Sequence, residues 1–306
     1  MPKYAFFVDG IVPIESAKVS VMTHGLNYGT GCFEGIRAYW NDEAQQLYVF
    51  RLQEHYERMH RSARILRIEL GQSADELGEI TLDLLRREGY REDAYIRPLA
   101  FKADEIIGVR LHNLTDWLAI FATPFGRYIE QEEGAHVCFS SWRRVDDNVA
   151  PARAKITGIY VNSALAKTDA ILAGYDEALV LTQTGDVSEG SAENFFIVRN
   201  GSLITPPVTS NILEGITRDT IITLARDELG LETIERPINR SEVYICDEAF
   251  FTGTGVQVAA ITRIEHRPIG TGAIGPVVTA LREIYFDVVR GKNSRYRDWC
   301  TPVYEG

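Results

Sequence analysis

The sequence predicts an α+β fold with a mixed sheet in each half. Short runs rich in β-branched and aromatic residues recur along the whole chain. Turn pairs such as Asn200-Gly201 join some of them into hairpins, and amphipathic helical stretches are interleaved without a fixed period. With 306 residues there is room for one large or two medium domains and a substantial core. No internal repeat or low-complexity tract is present.

The chain opens as a hairpin: alternating residues Tyr4–Val8, an Asp9-Gly10 turn, then Ile11–Ile14. Glu54 to Leu66 predicts a helix, with Met59, Ala63 and Ile65 among its apolar positions. A second helix over Asp75 to Arg87 carries Leu77, Ile80, Leu82 and Leu85 and stops near Gly89. Two strand-like runs follow, Ala94–Phe101 and Trp117–Thr123. An acidic stretch from Gly126 to Gly134, with Glu130, Glu132 and Glu133, is the best linker, dividing the chain into 1–125, 126–134 and 135–306; an ordinary surface loop is the alternative. The second half is richer in strands. Ala178–Thr182 is one, and Asn194–Val198 with Ser202–Thr205 flank the Asn200-Gly201 turn. Gly215 opens a helix to about Leu229 that ends at Gly230. Ala249–Thr254 is a buried strand ending in a Gly-Thr-Gly turn.

Composition excludes several classes. A net charge of −11 disfavours nucleic acid, whose phosphates need a basic footprint. The most apolar segment, Trp117–Phe125, is far too short for a membrane span, and MPKYAFFVDG does not have the basic start and long apolar run of a signal peptide. Cys32, Cys138, Cys246 and Cys300 are scattered without a CxxC pair, which argues against a zinc site or a disulfide framework and fits a reducing cytoplasm.

Four segments carry candidate chemistry. Lys155, one of six lysines, lies between a charged turn (Asp146, Asp147) and a helix through Val161, Leu165 and Ala166. A desolvated lysine suits a Schiff base or proton transfer, whereas a lone lysine at a helix start is ordinarily solvated. The run from Ser188 to Phe196 places Glu189 and Glu193 among small residues between two strands, either a carboxylate approaching a flat ring or a polar hairpin connection. In Leu213–Asp219, Gly215 permits close approach and the amides that follow form an anion-binding helix N-terminus; a plain N-cap by Thr217 is compatible with this. Gly253-Thr254-Gly255 offers a second small turn. No Rossmann or Walker pattern appears. Finally, His24–Arg37 separates aromatics by glycines, as a closely approached apolar substrate wall or a core turn would.

In this order the segments HGLNYGTGCFEGIRAY, EHYERMHRSARIL, AYIRPL, the Lys155 run, SEGSAENFF, LEGITRD and FTGTG resemble fold-type IV pyridoxal-phosphate (PLP) enzymes, specifically branched-chain aminotransferases. The likeness spans nearly the whole chain, from Val8-Asp9-Gly10 to Asp298-Trp299. It implies a two-domain α+β protein, with a smaller N-terminal α/β domain and a larger C-terminal pseudo-barrel domain. Lys155 is similar to the lysine that forms the internal aldimine and shuttles the proton between Cα and C4′. Glu189 resembles the carboxylate facing the pyridine nitrogen, Tyr160 the partner of the phenolic oxygen, and Arg58 the phosphate-binding arginine. The amides of Ile216 and Thr217, with Thr254, complete the phosphate cup. Tyr28, Phe33, Gly35, Arg37, Tyr95, Tyr128 and Gly255 match substrate positions, and Arg97 the arginine that takes the side-chain carboxylate of glutamate.

The implied reaction is ping-pong transamination between branched-chain L-amino acids (Leu, Ile, Val) and 2-oxoglutarate, in a cytoplasmic homodimer or higher homo-oligomer, with no metal and no nucleic-acid or membrane partner. The sequence departs from the family at Phe125, where tryptophan is common, and at the bulky Ile156-Thr157-Gly158-Ile159. Alternatives are a same-fold transaminase of broader, (R)-amine or D-amino-acid specificity, an aminodeoxychorismate lyase, and a binding protein without turnover. Arg97-Pro98-Leu99 lacks the Arg-x-His of D-specific members.

Overall fold

The computed structural model describes residues 2–126 and 134–304. The chain divides into two compact units, one made of Met1–Gly126, Ala154–Gly158 and Asp287–Gly306, the other of Arg127–Arg153 and Ile159–Phe286. The expected division at 126–134 therefore meets a first unit that takes back two later segments. Residues 127–133 of the expected linker, with Glu130, Glu132 and Glu133, lie outside the described residues.

In chain order the first unit runs β1 (Tyr4–Phe7), β2 (Gly10–Pro13), α1 (His24–Tyr28), β3 (Gly31–Phe33), β4 (Ile36–Asn41), β5 (Gln46–Phe50), α2 (Leu52–Ile65), α3 (Ala74–Glu88), β6 (Ala94–Lys102) and β7 (Asp116–Pro124). Its sheet is ordered β5, β4, β6, β7, β1, β2, with β3 also on β6 and a C-terminal strand, Cys300–Pro302, beyond β5. Every described pair in it is antiparallel, where a mixed sheet was expected. β5 and β6 do run in the same direction, but β4 lies between them, so no parallel pair forms. The first hairpin pairs Phe7 with Gly10, so its turn residues are Val8 and Asp9 rather than Asp9 and Gly10. The cause lies outside the hairpin: β7 grips the other edge of β1, and Val8 N donates to Leu118 O at 2.9 Å, with Val8 at a φ of 59°.

α2 buries Leu52, Tyr56, Met59 and Ala63, spaced three or four apart on one face. α3 opens on a capping box, Ser73 accepting from Glu76 N while the Glu76 carboxylate accepts from Ser73 N, and closes at Gly89.

The second unit contains β8 (Ala135–Arg143), α4 (Tyr160–Leu172), β9 (Glu177–Leu181), β10 (Val187–Gly190), β11 (Asn194–Arg199), β12 (Ser202–Thr205), α5 (Ile216–Leu229), β13 (Thr233–Glu235), α6 (Arg240–Val243), β14 (Glu248–Gly253), β15 (Gln257–Ile264), β16 (Arg267–Pro268) and α7 (Pro276–Val289), which leads back into the first unit. The sheet order is β10, β9, β8, β15, β14, β11, β12, β13. β8 is parallel to both neighbours, so this sheet is mixed as expected. Its core packs Val137, Leu179, Phe195, Ile197, Phe251 and Ile261. Asn200 and Gly201 both take positive φ, as a two-residue hairpin turn matched to strand twist requires.

Candidate active site

In the first unit the site is built on β6. Phe33 stands opposite Leu99 and Ile36 opposite Ile96, so β3 and β4 keep one register along the same edge of β6. What separates them is Pro98, which has no N–H to donate; Glu34 N still gives its bond to Pro98 O at 2.9 Å. Strand alternation then sends Phe33, Gly35 and Arg37 to one face, with Tyr95 and Arg97 of β6, and Glu34 to the other. On the first face Arg97 Nη2 donates to Tyr95 Oη at 2.8 Å, and its guanidinium lies 4.4 Å from the Phe33 ring centroid. Arg97 Nε is buried without a hydrogen-bond partner. Arg37 donates to Phe125 O at 2.9 Å, its guanidinium sits 5.1 Å over the Phe125 ring, and that ring packs 5.2 Å from Tyr95. Five of the expected substrate residues therefore share one face, and Phe125, the departure from the family pattern, lines it.

On the opposite face the Glu34 carboxylate meets α2. It accepts from Arg58 Nε at 2.7 Å, from Arg58 Nη2 at 2.8 Å and from His55 Nδ1 at 2.8 Å. Burial alone would push Glu34 up, but the Arg58 charge and these bonds hold it well below the usual carboxylate range. Burial pushes the His55 imidazole down in spite of Glu34, so it is neutral and donates through Nδ1.

Lys155 belongs to this unit. Its N donates to Ser62 Oγ on α2 at 3.1 Å, its O accepts from Phe33 N at 3.0 Å, and the next residue bridges Cys32. Thr157 Oγ1 contacts Gly29 O at 2.9 Å and Gly31 O at 3.1 Å, and Gly158 N donates to Gly29 O. Ile156 thus ties the lysine to β3, and Thr157–Ile159 then form a 3-10 turn that runs into the helix the sequence placed after Lys155. Lys155 Nζ lies 5.1 Å from the Phe33 ring centroid. The Tyr28 hydroxyl accepts from Gly108 N at 3.0 Å, beside the His24 ring. Tyr128 lies outside the described residues.

In the second unit Glu189 is on β10 itself, not in a connection between strands; the loop covers only Ser191–Glu193. A register shift between Val187 and Glu189 marks a bulge at Ser188, whose Oγ donates to Ser210 O at 2.7 Å. Such a bulge re-aims the following side chain. The buried Glu189 carboxylate pairs with Arg144 at 2.6 Å and accepts from Asn194 Nδ2 at 3.0 Å and Leu213 N at 3.1 Å. Asn194 in turn sets the start of α5, because a Cβ on Gly215 would stand 1.9 Å from Asn194 Oδ1. Gly215 is the N-cap and no side chain caps it, so the plain cap by Thr217 is not what forms. Ile216 and Thr217 open α5 as anion-binding amides would. Tyr160 opens α4, and Thr254 and Gly255 occupy the turn between β14 and β15.

Sequence reasoning missed Glu34, His55, Arg144 and Asn194 as site residues. Glu34 carried a signal, a charged residue inside an apolar strand run, whereas Arg144 carried none. Among the described residues no cluster of His, Cys, Asp and Glu could hold a metal, and no helix is long and apolar enough to cross a membrane.

The fold and these two clusters define an aminotransferase of class IV, and comparison agrees. The family model "Amino-transferase class IV" matches residues 31–264. The branched-chain-amino-acid aminotransferase of Pseudomonas aeruginosa is 44% identical over 299 residues, 96% of each chain. The crystal structure of the branched-chain aminotransferase of the archaeon Thermoproteus uzoniensis with norvaline is 45% identical, with a TM-score of 0.95 over 99% of this chain and 100% of that one. The PLP form of the Thermobaculum terrenum enzyme gives 41% and 0.95 over 99% of both. The chain belongs to the class IV aminotransferase family.

Proposed function

We propose that this chain is a PLP-dependent transaminase that moves amino groups between branched-chain L-amino acids (Leu, Ile, Val) and 2-oxoglutarate by a ping-pong reaction. The observation that carries the reading is Lys155: a half-buried amine whose backbone is tied to β3 and α2, beside the Phe33 ring. Support comes from relatives named for this activity and from neighbours that bind PLP or norvaline.

The residues present suit PLP. The uncapped start of α5 and the guanidinium of Arg58 each suit a phosphate dianion, and Glu189, held by Arg144, Asn194 and Leu213 N, suits a protonated ring nitrogen. PLP supplies an aldehyde that takes an amine covalently and a ring that accepts carbanion electrons. Lys155 would hold the aldehyde, and its Nζ would carry the proton from the substrate Cα. Tyr160 bonds the phenolic oxygen. Arg58, Ile216, Thr217 and Thr254 bind phosphate. Tyr95 and the Thr254-Gly255 turn bind the α-carboxylate. Phe33 and Phe125 would wall a leucine-like side chain, Gly35 lets Tyr95 come close, and Arg97, with its buried Nε, would take the γ-carboxylate of glutamate. Tyr28, Arg37 and Tyr128 complete the substrate positions.

A homodimer or higher homo-oligomer is part of this reading. Exposed apolar residues such as Val21 (82%), Leu26 (63%), Ile107 (81%) and Val109 (77%) suit burial against a second copy. So is a cytoplasmic setting, which the four free thiols fit. The test is the absorbance spectrum before and after L-leucine, D-alanine or (R)-1-phenylethylamine, with peptide mapping after borohydride reduction. Conversion to the pyridoxamine form by L-leucine, and a label on Lys155 that Lys155→Ala abolishes together with turnover, is the expected outcome. A label on another lysine, or response only to the D- or (R)-amine, refutes it.

A further inference from the structure

We propose that Glu34 is a positioning residue for the cofactor phosphate: it fixes the plane of the Arg58 guanidinium before the phosphate arrives. The inference rests on the assignment of Arg58 to that phosphate. It starts from the register of 33–37 on β6, which turns the Glu34 side chain away from the substrate face and towards α2. There a fully buried carboxylate takes Arg58 by two nitrogens, Nε on one oxygen and Nη2 on the other. A planar fork held at two atoms cannot turn about its own axis, so Glu34 dictates where the Nη1 end points. Both ends of the device are themselves held. Glu34 N is tied to Pro98 O, and His55, one turn before Arg58's position on α2, gives a third bond to the carboxylate without bringing a second positive charge. Arg58 is only 5% exposed, so it has little water to turn to if the carboxylate is removed.

Two effects of Glu34 oppose one another. Its negative charge repels a phosphate dianion, so deleting charge alone would tighten binding. Deleting the lock releases a side chain with several rotatable bonds, which must be ordered again on binding, and so loosens it. The lock prevails in this geometry. Arg58 sits against the Glu34 charge and neutralises most of it, whereas the Nε and Nη2 bonds that set the plane of the guanidinium both depend on the carboxylate.

The sign of the change in affinity therefore decides. Purified wild-type holoenzyme, Glu34→Ala, Glu34→Gln and Arg58→Ala would be treated with hydroxylamine, which takes the PLP aldehyde off the lysine as its oxime, and dialysed against inorganic phosphate and then phosphate-free buffer. Rebinding would be followed by absorbance and protein fluorescence, with far-UV circular dichroism as the check on folding. Glu34→Ala is expected to weaken PLP binding by about 10- to 100-fold, as loss of outer partners of a bound ion commonly does, and to weaken inorganic phosphate as a competitor by the same factor. The KM for L-leucine at saturating PLP should move little. Glu34→Gln, which still offers one acceptor, should lie between; it is the deciding variant if the alanine protein does not fold. Unchanged or tighter PLP binding in both Glu34 variants overturns the inference while leaving Arg58 assigned, provided that Arg58→Ala binds weakly. Unchanged binding in Arg58→Ala removes the Arg58 assignment and this inference with it.

Discussion

Gly35→Ala is the sharpest probe of the substrate face. A Cβ at residue 35 would stand 2.2 Å from Tyr95 Oη and 3.0 Å from its Cζ, whereas ordinary contact begins at 3.4 Å. The phenol must retreat by about 1 Å, because repulsion at that separation far exceeds any dispersion gain. The retreat breaks the 2.8 Å bond from Arg97 Nη2 and carries Tyr95 away from the carboxylate it is proposed to hold. A 1 Å misplacement of a positioning group costs about 100-fold in rate, or about 2.7 kcal/mol of transition-state stabilisation. The assay is kcat/KM for L-leucine with 2-oxoglutarate, alongside PLP content from absorbance and a thermal melt. The variant should keep its cofactor and lose roughly 100-fold in kcat/KM. In a Tyr95→Phe background, which lacks the offending oxygen, the same alanine should cost much less. Activity of Gly35→Ala within about threefold of wild type, or an equal loss in both backgrounds, would refute the reasoning.

Arg144→Met leaves the buried Glu189 carboxylate without its cation, and removing one partner of a buried pair costs about 3 kcal/mol or more. Urea unfolding should show that loss, and a change below about 1 kcal/mol would mean the pair does not form in solution. Glu193 gives a pH dependence. Burial, with the Glu177 charge adding to it, pushes its carboxyl from 4.5 up to about 8, so the folded protein keeps a proton that the unfolded chain has released. Between those values the native state binds more protons, and stability falls as pH rises. Glu193→Gln has no such proton to lose. Its urea midpoint should gain on wild type as pH rises from 4.5 to about 8, and parallel profiles would refute the assignment.

What could be read from the sequence was local. Ser73, Glu76 and Gly89 announce both ends of α3, and Asn200-Gly201 announces its hairpin, because each depends on residues within one turn of itself. The Val8-Asp9 turn was misplaced by one residue because β7, more than a hundred positions away, sets it. The strand character of Glu189 was missed for a similar reason: its pairing with Val180 supplies what its small, polar neighbours do not suggest. α7 went unread although Val278, Leu281, Tyr285 and Val288 repeat at helical spacing and are buried. The resemblance supplied the residues proposed to touch cofactor or substrate. The residues that orient them, Glu34, Asn194 and Arg144, show themselves only once side chains have directions.

The return of residues 154–158 and 287–306 to the first unit bears on how the chain is made. β3 gains its second partner, at Ile156, only after the whole of β1 to β8 has been synthesised, and β5 gains its outer neighbour, Cys300–Pro302, only after the second unit's strands are made. A nascent chain of 126 residues carries an unsealed sheet edge, so the N-terminal unit is the last to be finished, not the first. Removing the final dozen residues would accordingly do its harm at Tyr48–Phe50, some 250 positions upstream of the cut.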